Sequence, residues 1–74
     1  MITVAQMKAA RTLLGWSDVK LAHEAGLDPS TVINFELGTR SPSVTSVLTI
    51  ESTLKAAGVE FPQHDQVRLT KGQT

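Results

Sequence analysis

Three residues, Gly26-Leu27-Asp28, separate two stretches that both read as helix, and this interval limits the fold more than any other feature of the chain. The first stretch follows Ser17, a residue type suited to the N-cap, and Trp16 and Leu21 stand at the two hydrophobic-staple positions around it. It is expected to cover residues 18–25 and to stop at Gly26, which takes up the left-handed backbone that ends a helix at little cost. The second opens on Asp28 as N-cap. Pro29 follows at the first helical position, where a missing N–H costs nothing, and Leu27 and Val32 form the staple pair. This helix is expected over residues 29–37, ending at Gly38. A link so short cannot lay two helices antiparallel with full side-chain contact. It sets them at a steep crossing, the geometry of a helix-turn-helix.

The same punctuation marks two further helices. Thr3 and Gln6 have the spacing of a capping box, with Ile2 and Met7 as its staple, and predict a helix over 4–14 that Gly15 ends. After the polar loop Thr39-Arg40-Ser41-Pro42, Ser43 caps a helix over 44–57 that stops at Gly58. Its core stripe reads Val44, Val47, Ile50 and Leu54, and Leu48 falls off that stripe. Leu27, Val32 and Phe35 share one face around the third helix and are expected in the core. Ala22 must be small because that helix crosses close to it. Beyond Gly58 the period changes. Val59-Glu60-Phe61 and Val67-Arg68-Leu69 alternate apolar and polar residues around the turn-like Pro62-Gln63-His64-Asp65, which predicts a β-hairpin. A lone hairpin is marginal, so it must pack on the helices or pair with another chain. The expected organisation is an all-α helical domain over 1–58, a hairpin extension over 59–69 and a flexible tail over 70–74.

Composition narrows what such a chain does. Its 74 residues suffice for one domain, 41% are hydrophobic, and with one Trp and two Phe the core must be mostly aliphatic. A domain this small gains stability from a second copy. With no Cys there is neither a disulfide framework nor a thiolate metal site. No apolar run reaches the length of a membrane span and the N-terminal stretch lacks a signal-peptide core, so a cytoplasmic location is expected. His23 and His64 lie far apart in the chain without other organised ligands, and Glu24, Glu51 and Glu60 show no pairing suited to acid–base work. No nucleophile or phosphate-loop motif is present, so neither enzyme activity nor a metal or cofactor is expected. Seven basic residues balance seven acidic ones, which removes the gross positive charge typical of a nucleic-acid binder.

The segment Ser17 to Gly38, SDVKLAHEAGLDPSTVINFELG, resembles the helix-turn-helix of the Xre family, the phage-repressor and Cro-like regulators. Leu21-Ala22, Ala25-Gly26-Leu27, Thr31-Val32 and Glu36 with Gly38 carry the likeness. The flanking LLGWS and Lys55-Ala56-Ala57-Gly58-Val59-Glu60-Phe61 are similar to a short bacterial subgroup with a strand-like C-terminal extension. The resemblance implies a four-helix phage-repressor-like domain that binds double-stranded DNA, regulates transcription as a repressor does, and forms a homodimer reading two half-sites. It also implies that Arg11 and Glu36 form a partly buried, structural ion pair.

In such a fold the third helix enters the major groove by its N-terminal end. Its outward positions here are Pro29, Ser30, Ile33, Asn34 and Leu37. Asn34 is the best base reader, because its carboxamide can pair bidentately with adenine. Ser30 can donate or accept at a base edge, Ile33 can touch a thymine methyl, and Thr31 faces the DNA backbone. The start of the second helix at Ser17 is an expected phosphate anchor. Thr39 and Arg40 are expected to hold another phosphate. Several positions depart from the family pattern: Asp18 stands where Gln is usual, and Pro29, Ile33 and Leu37 are apolar. These support an alternative, a degenerate helix-turn-helix whose apolar face, Pro29, Ile33 and Leu37, binds a protein partner as an antiactivator, antitoxin or adaptor would. For a dimer or partner interface the candidates are Leu48, Val59, Phe61, Val67 and Leu69.

Overall fold

The computed structural model describes residues 1–63 and 66–70. Four helices run in order: α1 (Val4–Leu13), α2 (Asp18–Ala25), α3 (Pro29–Leu37) and α4 (Val44–Ala56). Two short strands follow, β1 (Val59–Glu60) and β2 (Arg68–Leu69). Each helix begins at its expected residue, because each cap is a local hydrogen bond. Thr3 Oγ1 accepts from the Gln6 N–H at 3.1 Å, and Gln6 Oε1 accepts from the Thr3 N–H at 2.9 Å, completing the capping box. Ser17, Asp28 and Ser43 cap α2, α3 and α4 through a single backbone N–H each, the side chain accepting from that of Lys20, Ser30 and Ser46. α1 and α4 each stop one residue short of the expected end, with Leu14 and Ala57 serving as C-caps.

The turn between α2 and α3 depends on Gly26. Its φ is +71°, and the Leu27 N–H reaches back to the Ala22 carbonyl at 2.8 Å. A Cβ on Gly26 would meet nothing within 4 Å, so glycine is required for its backbone conformation rather than for space. The turn directs Leu27 back onto the core, and only three residues separate the end of α2 from the start of α3.

The core lies where the helices converge. Met7 and Ala10 of α1, Leu21 and Ala22 of α2, Val32 and Phe35 of α3, and Val47, Ile50 and Leu54 of α4 are buried in it together with Ile2. Leu14, Trp16 and Leu27 close its edge. One expected core residue is not there. Val44 is 60% exposed at the first residue of α4, whereas Val47 three residues on is buried.

The strands pair antiparallel, Val59 with Leu69 and Glu60 with Arg68, and the Thr70 N–H adds a bond to the Gly58 carbonyl at 2.6 Å. Of the two possibilities for the hairpin, the structure shows packing on its own helices. Phe61 and Val67 lie half-buried against the core. Val59 is 1% exposed, which corrects its place among the interface candidates: its side chain is spent inside its own domain. A buried amide fastens the turn. Gln6, 3% exposed, donates from Nε2 to the Gln63 carbonyl at 2.8 Å and to the Gln66 carbonyl at 2.9 Å. His64, Asp65 and 71–74, most of the expected tail, lie outside the described residues. Among those described, no helix is long and apolar enough to cross a membrane.

Candidate nucleic-acid interface

α3 is held from behind by its core face and by one ion pair. Val32 and Phe35 point inward. On the flank, Glu36 accepts from Arg11 Nε at 2.9 Å and from Arg11 Nη2 at 2.8 Å, while Arg11 Nη1 donates to the Trp16 carbonyl at 2.9 Å. Only 16% of the Arg11 side chain and 8% of the Glu36 side chain are exposed. The hydrogen bond to Glu36 is the main cause raising the guanidinium pKa, burial works against it, and Asp18 adds a smaller attraction. The pair therefore ties α1 to the side of α3, as the resemblance implies.

The opposite face of α3 is turned to solvent. Pro29 and Ser30 are exposed, Ile33 and Asn34 are half-buried, and Leu37 is 69% exposed. At the N-terminal end Asp28 accepts from both donors of Ser30, the N–H at 2.9 Å and Oγ at 2.7 Å. These bonds, the side-chain one first, hold the Asp28 carboxyl below its usual range. At the other end Thr39 Oγ1 lies 3.2 Å from the Asn34 carbonyl and 3.1 Å from Asn34 Oδ1. The Thr39 N–H also goes to the Asn34 carbonyl, at 3.1 Å. In this arrangement both Thr39 donors turn to Asn34. Thr39 thereby touches Asn34, the residue expected to read a base.

Phosphate-binding candidates flank this face. Ser17 Oγ takes the Lys20 N–H at 3.0 Å, so the Asp18 and Val19 amides remain ahead of the α2 hydrogen-bond ladder. Arg40 is exposed after α3, and with Thr31, Ser41 and Ser43 it lines one cleft between α3 and the start of α4. Four ion pairs engage Arg11, Lys20, Lys55 and Arg68. Lys8 and Arg40 are the cations outside these pairs among the described residues.

The interface candidates are not gathered in one place. Leu48 is exposed beside Thr45 and Ser52 on α4, whereas Val67 shares a shallow cleft with Ala9 and Leu13 of α1. Leu69 is exposed at the end of β2. His23 is exposed on α2, and no group of three potential metal ligands exists among the described residues. Reasoning from sequence overlooked Asp28 beyond its capping role, and also Ser41 and Ser43. The spacing Asp28-x-Ser30 was the available signal, since an N-cap carboxylate reaches the donors two residues on.

A comparison with curated proteins returned no match. A family model described as Helix-turn-helix matches residues 7–61, from the middle of α1 to just past β1. The matched span contains the short α2–α3 turn, the Arg11–Glu36 tie and the outward face of α3, and the chain belongs to the helix-turn-helix family of Xre-like and Cro-like DNA-binding regulators.

Proposed function

We propose that this protein is a sequence-specific transcriptional regulator, a cytoplasmic repressor without catalytic activity, that binds a palindromic operator as a homodimer. The observation that carries this reading is Asn34, which stands on the outward face of a firmly held α3 with its carboxamide propped by Thr39. α3 enters the major groove N-terminus first. Asn34 pairs with an adenine, Ile33 meets a thymine methyl, and Ser30 reads a neighbouring base edge. Ser17 with the first α2 amides takes one phosphate, and Arg40 with Thr31 takes another. Two copies, joined through Leu48 or through Phe61, Val67 and Leu69, place their α3 helices in half-sites about one helical turn apart.

The test is selection of bound sequences from a randomised duplex pool, at low and at moderate salt. A symmetric motif is expected for the wild type. Asn34→Ala should lose roughly 1–3 kcal/mol at one base per half-site. Absence of any motif, or an unchanged motif with the variant, would defeat the assignment.

A second reading draws on the 69% exposure of Leu37, which with Pro29 and Ile33 forms an apolar stripe on the same face. There α3 docks into the groove of a protein partner. Ile33→Glu with Leu37→Lys should then abolish that complex and leave the fold intact, and retained DNA selection by this variant would exclude a shared surface.

A further inference from the structure

The hydrogen bond between Ser30 and Asp28 decides what the tip of α3 can recognise. Ser30 Oγ lies 2.7 Å from Asp28 Oδ1. A serine hydroxyl has one proton and two acceptor lone pairs, and an ionised carboxylate only accepts. The Asp28 carboxyl is held below its usual range, so it is ionised at neutral pH. In this pair the proton must come from Ser30. The hydroxyl has nothing left to donate, and both exposed side chains present only lone pairs to whatever approaches.

We propose that Asp28 is a specificity-determining residue: by taking the Ser30 proton it makes the tip of α3 an acceptor-only surface, which selects a base with an exocyclic amino group at one position of each half-site. This rests on the DNA-reading proposal above. In the major groove the donors are N4–H of cytosine and N6–H of adenine, whereas guanine and thymine offer O6, N7 or O4, all acceptors. Acceptor against acceptor leaves desolvated lone pairs facing each other, with the carboxylate charge adding repulsion. Adenine carries the acceptor N7 beside its amino group, so cytosine ranks first.

The test is sequence selection with the wild type, Asp28→Ser and Asp28→Asn, each first checked for a cooperative melt. Both replacements are good N-caps and preserve the start of α3. The wild type should prefer cytosine, then adenine, over guanine and thymine by about ten-fold or more. Asp28→Ser frees the hydroxyl and should flatten the preference at that one position. Asp28→Asn turns an NH2 group outward and should shift the preference toward guanine or thymine. In both, the adenine read by Asn34 should persist. A wild-type preference for guanine or thymine there, or variants with the wild-type motif, would overturn the inference and leave DNA reading in place. A wild type that selects no motif would overturn both.

Discussion

The Arg11–Glu36 pair makes a quantitative demand on stability. Glu36→Ala leaves the Arg11 Nε and Nη2 donors without their partner, in a place where 16% of the side chain meets solvent. Removing one partner of a buried pair costs about 3–5 kcal/mol, mainly because the other charge stays behind unpaired. The residual exposure of Arg11 puts the expected loss near the lower end, about 3 kcal/mol. At roughly 0.05–0.15 kcal/mol per residue the whole domain holds only about 4–11 kcal/mol. The variant should therefore melt about 12–24 °C below the wild type, followed by circular dichroism, at about 4–8 °C per kcal/mol for this size. Arg11→Met combined with Glu36→Leu removes both charges together and should recover most of the loss. A single variant within about 1 kcal/mol of the wild type would show that the pair behaves like a surface ion pair. A double variant no more stable than the single would refute the stranded charge as the cause.

Other perturbations separate the parts of the structure. Gln6→Leu breaks the bonds to Thr3, Gln63 and Gln66 and should cost about 2–3 kcal/mol at about 1 kcal/mol each. Amides of the hairpin should exchange ahead of the helices in that variant, and unaltered hairpin protection would count against the tether. Thr39→Val removes the hydroxyl beside Asn34 and should weaken binding of the selected duplex while the melt is unchanged, with Thr39→Ser retaining affinity. Equal affinity in all three proteins would sink the propping role. The Glu51 carboxyl is lowered from its ordinary value of 4.5, first by the hydrogen bond from Lys55, against the opposing effect of burial. A depressed folded-state pKa contributes stability that is present above the unfolded value and is lost as pH falls through the folded one. Glu51→Gln should accordingly flatten the decline in urea-melt stability below about pH 4.5. Parallel declines would contradict it.

What the sequence made legible was local. Helix starts follow from a cap side chain and an N–H two or three residues away, so Thr3, Ser17, Asp28 and Ser43 sit where the pattern puts them. Long-range placement was less accessible. Period alone assigns Val44 to the α4 stripe, but burial also requires a neighbour, and at 60% exposure Val44 lacks one that covers it. Alternation marks Val59 and Leu69 alike, although one is sealed in the core and the other is exposed. Gln6 was legible as a cap residue, while its bonds to a turn some sixty residues later were not. At the candidate interface, residue types named Asn34 and Ser30 as readers. The side-chain directions that commit Ser30 to Asp28 and Thr39 to Asn34 required coordinates.

The distribution of charge bears on how such a surface works. Among the described residues four cations are engaged with carboxylates, and Asp28 places a negative charge at the tip of α3 itself. On the DNA-reading proposal, phosphate neutralisation rests mainly on Arg40 and on helix-start amides, and amides displace no counterion as a cation does. Each neutralised phosphate steepens the dependence of log affinity on log salt by about 0.9. With Arg40 as the one cation per protomer among the described residues that the proposal sets against a phosphate, the proposed dimer should show a slope of only about −2. Non-specific binding, which is almost wholly electrostatic, should be weak for the same reason. On the same proposal, discrimination comes from the hydrogen-bonded tip of α3 and from two half-sites engaged together. A slope several times steeper, measured with the selected duplex, would mean that cations outside this face approach the DNA, and would require α3 to dock in a different orientation.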